Sequence, residues 1–253
     1  MTTALVTGAS GGIGAEIARV LAPDHDLVLV ARSAAKLDAL ATELGGARVI
    51  AADLSDPGAV GKIAAELPDV DVLVNNAGVG DFGAFAAEDP ERILGMIQLN
   101  ITSLTALTRQ YLPAMLERGQ GRVMNVASTA SFQPGPLMAV YYATKSYVLS
   151  FSEALHEETR GTGVTVTALC PGPTASGFQA AADMQLSPLV ANRKLPSAAE
   201  VAAFGVKAMQ RGDAVAVPGA MNKIMAASVR LTPRPVIRRL VRKMQETKPP
   251  KDA

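Results

Sequence analysis

Seven short apolar, β-branched runs punctuate the chain: "TALVTG", "DLVLVA", "ARVIAAD", "DVLVNNAG", "GRVMNVAS", "VTVTALCPG" and "AVAVPG". Between them residues 12–22, 33–44, 56–67, 89–118, 140–160 and 198–211 are rich in Ala, Leu, Glu or Lys and follow a helical period. Strands that alternate with helices predict a parallel sheet. The runs are continuously apolar rather than alternating, as expected of strands covered by helices on both faces. The predicted fold is α/β, a single doubly wound parallel sheet of about seven strands. No repeat or linker interrupts it before residue 220, so residues 1–220 read as one domain and 221–253 as an extension.

Two segments depart from the pattern. Residues 174–196 hold no strand and mix Phe, Met and Leu with polar residues. They follow a strand's C-terminal end, the edge where open α/β sheets bind ligands, which favours a lid over a plain surface helix. Residues 223–253 carry nine Lys or Arg against Glu246 and Asp252. From Pro235, Val236, Ile237, Leu240, Val241 and Met244 recur at helical spacing, with Arg238, Arg239, Arg242 and Lys243 opposite. This basic amphipathic helix suits packing on its own domain or a sister subunit, and membrane-surface contact stays open.

Composition narrows the classes. At 253 residues and 49% hydrophobic, the chain can bury a substantial core. A formal charge of +1 gives no global attraction to nucleic acid, and none is expected as a partner. The lone Cys170 allows no intramolecular disulfide and no cysteine-rich metal site, and no metal is expected. His25 and His156 stand apart from other ligand types and read as surface residues. The N-terminus has no basic leader before an apolar run, and no stretch approaches the ~18 apolar residues of a membrane span. The expected location is cytoplasmic.

The chemistry concentrates in a few motifs. "TGASGGIG" at 7–14 links the first strand to the first helix, where Gly8, Gly12 and Gly14 permit a tight turn and let a pyrophosphate approach free helix N–H groups. "NNAG" fills 75–78, Asn100 lies in the next helical stretch, Ser128 ends the fifth strand, "YYATK" fills 141–145 and "PG" fills 171–172. Spacing on a helix cannot choose between Tyr141 and Tyr142 as the partner of Lys145, since residues three and four apart share a face.

This ordered set resembles the short-chain dehydrogenase/reductase family, with its TGxxxGxG loop, from residue 3 to about 219. The resemblance implies a Rossmann-type fold and an NADP(H)-dependent oxidoreductase that reduces a ketone or aldehyde, or works in reverse. Its Tyr-x-x-x-Lys pattern selects Tyr141 with Lys145, and its serine, thirteen residues earlier, is Ser128. By this resemblance Tyr141 is the proton donor and Ser128 steadies the substrate oxygen. Lys145 lowers the Tyr141 pKa and holds the nicotinamide ribose, and Asn100 anchors a proton-relay water. Tyr142 and Tyr147 are left as packing or pocket-wall residues.

The implied cofactor contacts are Gly8, Ser10, Gly11, Gly12, Ile13 and Gly14 at the pyrophosphate, with Asp53 and Leu54 at the adenine. Asn76, Ala77 and Gly78 follow along the ribose, with Asn75 tying strands. Tyr141, Lys145, Pro171, Gly172, Thr174 and Ser176 take the nicotinamide end. "PGPTAS" departs from the family's PGxxxT, so either Thr174 or Ser176 could meet the carboxamide. The second strand ends at Ala31 and Arg32 without a carboxylate, and a guanidinium suits a ribose 2′-phosphate. Lys36 could add charge there. Phe82, Phe132, Leu137, Phe178 and Met184, within walls at 79–85, 130–138 and 176–195, predict an apolar substrate pocket. A homo-oligomer, dimer or tetramer, is expected, since the long helices commonly pair across subunits in this family. The alternatives are an NADP(H)-binding sensor or scaffold without turnover, and epimerase or dehydratase chemistry, for which an extended substrate domain is missing.

Overall fold

The computed structural model describes residues 2–178, 182 and 195–246. Seven parallel strands form one sheet in the order β3-β2-β1-β4-β5-β6-β7. They are β1 (Thr2–Thr7), β2 (His25–Ala31), β3 (Arg48–Ala51), β4 (Val72–Asn75), β5 (Gly121–Val126), β6 (Val164–Leu169) and β7 (Val215–Ala216). The helices between them are α1 (Gly12–Leu21), α2 (Ala34–Glu43), α3 (Ala59–Glu66), α4 (Pro90–Ile97), α5 (Leu104–Arg118), α6 (Ala139–Glu158) and α7 (Ala198–Arg211). All seven expected strands form where the apolar runs lie.

Side chains leave alternate faces of each strand, so one run feeds two cores. On one face Ala4, Val6, Leu27 and Leu29 pack with Ile17 and Leu21 of α1, Leu37 of α2 and Val206 and Met209 of α7. On the other, Leu5, Val28, Val30 and Leu73 meet Ile63 of α3 and Leu107, Tyr111 and Met115 of α5. Double coverage explains why the strands read as continuous apolar runs. Strand order reverses between β1 and β4, and ligands of such sheets sit in the crevice at that switch point.

The expected helix over 89–118 is two helices. A π-helical turn at Gln98–Ser103 separates α4 from α5. Three tertiary hydrogen bonds accompany it: the Asn100 side chain accepts from the amide and donates to the carbonyl of Val79, and Ser103 Oγ donates to the Leu54 carbonyl at 2.5 Å. Its bulge therefore turns side chains of the helix toward the loops after β3 and β4.

Beyond β7 two more helices fold back, α8 (Ala220–Ser228) and α9 (Arg234–Gln245). Ile237 and Val241 of α9 are buried in a cluster with Met96, Met138, Tyr141 and Tyr142. The basic amphipathic helix thus packs part of its apolar side, Ile237 and Val241, on its own chain. Residues 179–181 and 183–194, including Met184 and most of the expected lid, lie outside the described residues.

Candidate active site

At the C-terminal edge of the sheet a cavity of about 710 Å³ opens between the β1–α1 loop, the ends of β4, β5 and β6, α6, and helices α8 and α9. Its charged lining among the described residues is Arg32, Lys36, Asp53 and Lys145. Three of these four sit at the β2–β3 end.

The β1–α1 loop is built for close approach. Gly8 and Gly12 adopt φ of 68° and 56°, the left-handed region glycine alone enters at little cost. A Cβ on Gly14 would lie 2.4 Å from the Gly8 carbonyl oxygen, so a side chain there would push the loop off the helix. Thr7 Oγ1 braces the turn, donating to the Val74 carbonyl and accepting the amides of Asn76 and Ala77. Asn76 Nδ2 donates to the Thr7 carbonyl at 2.9 Å. The N-terminus of α1 has neither a side-chain cap nor an acid in its first turn, and a Cβ on Gly11 would meet nothing within 4 Å. An anion would find free N–H groups and open space.

Arg32 and Asp53 face each other at the ends of β2 and β3, 4.0 Å apart, with the Arg32 side chain 74% exposed. Burial alone would raise the Asp53 pKa, but the hydroxyl and amide of Ser55 and the Arg32 charge bring it below the usual carboxylate range. Asp53 therefore carries its charge at neutral pH and stays bonded to Ser55, at 2.9 and 2.6 Å. Leu54 beside it is buried and lines the cavity.

The chemical centre is carried by β5 and α6. Ser128 caps the 3₁₀ turn Thr129–Phe132, its Oγ accepting from the Ala130 amide at 3.1 Å. Tyr141 lies one turn into α6, buried, with its ring 5.4 Å from Phe178 and 6.0 Å from Tyr142. Burial pushes its hydroxyl up to about 12, against an opposing hydrogen bond from Ser128. Burial likewise pulls Lys145 down to about 8. Lys145 Nζ donates to the Val126 carbonyl at 2.8 Å and lies 5.9 Å from the Tyr141 ring centre. The expected lowering of Tyr141 by Lys145 is therefore not what the chain's own geometry produces. Desolvation outweighs an ammonium already turned to a backbone carbonyl.

Asn100 sits behind this centre, its Nδ2 bonded to the Val79 carbonyl and to Thr144 Oγ1 at 3.0 Å. Gly78 separates it from Lys145; a Cβ there would fall 3.2 Å from Asn100 Oδ1 and 3.3 Å from Lys145 Nζ. Asn75 ties strands as expected, its Nδ2 donating to Asn125 Oδ1 and Thr108 Oγ1. After β6, Pro171, Gly172, Thr174 and Ser176 all reach the cavity. Thr174 Oγ1 turns back to the Gly172 carbonyl, whereas Ser176 abuts Gly12 of the glycine loop.

Sequence reasoning read Tyr142 as a packing or pocket-wall residue and missed the helix, α9, that completes the opposite wall. Tyr142 lines the cavity and its hydroxyl accepts from Gln245 Nε2 of α9 at 2.9 Å, a fully buried bond across 103 positions. Val229, Ile237, Leu240, Val241 and Met244 complete that wall. Two readings are corrected: His25 and His156 are half-buried, their Nδ1 atoms bonding the carbonyls of Leu21 and Val166. Cys170 is buried, and burial pushes its thiol up to about 12, so it packs as an inert hydrophobe.

The family model described as short chain dehydrogenase matches residues 2–186. The chain belongs to the short-chain dehydrogenase family. Its members are oxidoreductases that use nicotinamide cofactors. The chain is 36% identical over 179 residues to the ketoacyl reductase HetN of Nostoc, a match covering 67% of this chain and 62% of that relative. It superimposes on a short-chain dehydrogenase of Sphingobium yanoikuyae, solved in complex with NADPH, with a TM-score of 0.82, 30% identity and full coverage of both chains. It also matches the bulky-bulky ketone specific alcohol dehydrogenase of Comamonas testosteroni, with a TM-score of 0.78 and 27% identity over 99% of this chain and 98% of that one.

Proposed function

We propose that this family member is an NADP(H)-dependent reductase of apolar ketones or aldehydes, or the alcohol dehydrogenase in reverse. One observation carries the reading: Ser128, Tyr141 and Lys145 converge in a cavity whose other end is an uncapped helix N-terminus behind a glycine loop. That loop fits a pyrophosphate, and the exposed Arg32 cation at the end of β2 fits a ribose 2′-phosphate better than a bare 2′-hydroxyl. Gly8, Ser10, Gly11, Gly12, Ile13 and Gly14 would hold the phosphates, with Asp53 and Leu54 at the adenine end. Asn76, Ala77 and Gly78 would lie along the ribose, and Pro171, Gly172, Thr174 and Ser176 along the nicotinamide. The cofactor supplies hydride chemistry when bound.

The chain's own residues do the rest. Ser128 and Tyr141 donate hydrogen bonds to the carbonyl oxygen, where negative charge develops. Tyr141 is fully protonated at neutral pH and gives its proton to that oxygen, becoming phenolate. Lys145, charged below about pH 8, would hold the nicotinamide ribose and, once turned from the Val126 carbonyl, attract the phenolate. Asn100, bonded to Thr144 one residue before Lys145, fixes the backbone on which the pair stands and would anchor a relay water. Among the described residues the substrate end carries no charged side chain besides Lys145, and Phe178, Met138, Val79, Ile237 and Leu240 suit a bulky apolar carbonyl compound. The Comamonas neighbour is specific for bulky-bulky ketones.

The test is NADPH oxidation with a panel of bulky and small ketones and aldehydes. Turnover of the apolar members is expected, and tight NADPH binding without turnover of any would overturn the reading. The enzyme is further proposed to act as a homo-oligomer through α4, α5 and α6, on which Leu94, Leu116 and Tyr147 are exposed. Light scattering showing a monomer at micromolar concentration would remove that part.

A further inference from the structure

The surface of α8 and α9 stands out among the described residues. Met221, Ile224, Leu231, Val236 and Leu240 are 67, 62, 90, 52 and 54% exposed, a concentration of large apolar side chains within twenty residues. Exposed large apolar side chains gathered in this way on a folded chain mark interaction sites. Interleaved with them, Lys223, Arg230, Arg234, Arg238, Arg239, Arg242 and Lys243 are all exposed. The single acid between residues 220 and 246 is Glu246, paired with Arg242.

The placement along α9 is ordered. Residues 237, 241 and 245 share the buried face, and 238, 239 and 242 the cationic one. Residues 236, 240 and 244 share a third edge, apolar and turned away from the core cluster that holds Ile237 and Val241. Leu240 and Met244 on that edge, with Met225 of α8, line the mouth of the cavity. An apolar edge flanked by cations is the arrangement of helices that lie in a bilayer surface, with apolar groups among acyl chains and cations at phosphate level. No described helix is long and apolar enough to cross a membrane.

We propose that α8 and α9 form a docking surface for an anionic lipid bilayer, which sets the cavity mouth against the membrane. Charge decides the occupant. A second copy would bring the same seven cations against each other across a two-fold contact, and like charges across an interface oppose association. A nucleic acid would satisfy the cations and leave the apolar edge in water. Anionic lipid satisfies both. The proposal does not depend on which carbonyl compound is reduced.

The full-length protein is floated with phosphatidylcholine vesicles, with and without phosphatidylglycerol. Co-flotation with the anionic vesicles, reversed by high salt, is expected. Arg238→Glu with Arg239→Glu should lower partitioning at least about tenfold, because each cation near an anionic surface counts separately. Leu231→Ser with Val236→Ser, at two exposed positions outside the cavity lining, should lower it by about as much. NADPH affinity and turnover of a water-soluble ketone should stay at parental values in that double variant. Absence from the vesicle fraction at every composition overturns the proposal. So does equal flotation of parent and both variants. A dimer that the Leu231→Ser, Val236→Ser pair dissolves would instead assign the patch to self-association.

Discussion

Replacing Lys145 by Met should stabilise the folded protein at neutral pH while removing its activity. Lys145 is buried, and its pKa falls from 10.5 to about 8 because burial penalises the charge. That difference, about 2.5 units at about 1.4 kcal/mol each, corresponds to about 3 kcal/mol of strain carried by the ammonium below pH 8. Met fills a similar volume without charge. It forfeits the bond to the Val126 carbonyl, worth about 1 kcal/mol. The net gain is about 2 kcal/mol, or about 4–8 °C in Tm for a chain of this size. The sign of the pH dependence is fixed. Between about pH 8 and 10.5 the unfolded chain binds the lysine proton and the folded chain does not, so parental stability rises with pH across that window. The advantage of Lys145→Met is therefore largest below pH 8 and shrinks towards pH 10.5. Urea unfolding of both proteins without cofactor, at pH 7 and pH 10, reads this directly. A stability difference that does not change with pH would refute the reasoning, as would a variant weaker than its parent at pH 7.

Tyr141→Phe should cut kcat by ~10²–10⁴-fold with NADPH affinity retained, while Tyr142→Phe should keep kcat and alter KM for bulky ketones, because it leaves the Gln245 amide unpartnered at the cavity wall. Arg32→Asp should move the ratio of kcat/KM values from NADPH towards NADH; unchanged selectivity would mean that the 2′-phosphate is read elsewhere. Gly135→Ala would put a Cβ 2.1 Å from Cγ of the Tyr142 ring, so chemical denaturation should show a loss of about 1–3 kcal/mol, and a neutral result would mean the wall yields freely.

The strands were legible because burial on both faces leaves no polar position to blur the runs. The glycine loop was legible because its requirements are local: Gly8 and Gly12 need positive φ, and Gly14 faces a carbonyl a few residues away. The break at Gln98–Ser103 was not. The stretch "QLNITS" has no Gly or Pro, and the residues that hold it, Val79 and Leu54, come from two distant loops. Helix α8 follows Gly219 without a capping side chain, so nothing announces its start. The half-buried histidines escaped because each is satisfied by one backbone carbonyl, a partner that no side-chain spacing reveals. The Tyr141 and Lys145 pKa directions depend on how deeply α6 is covered, which the motif does not encode.

The two ends of the cavity differ in the same respect. At the nucleotide end each element recognises a feature common to many ligands, a phosphate or a ribose, and does so with a few consecutive residues. At the substrate end the wall is assembled from Tyr142, Phe178 and helices α8 and α9, brought together from across the chain by apolar packing. Apolar packing tolerates exchange of one aliphatic side chain for another of similar volume, so that wall can change shape without disturbing the fold. The family match ends at residue 186, before α7, α8 and α9. Membership in the family therefore speaks for oxidoreductase chemistry on a nicotinamide cofactor and is silent on the shape of the substrate. Part of that shape lies in the last thirty described residues, where Gln245 bonds Tyr142 and thereby joins this exchangeable wall to the residue beside the proposed proton donor.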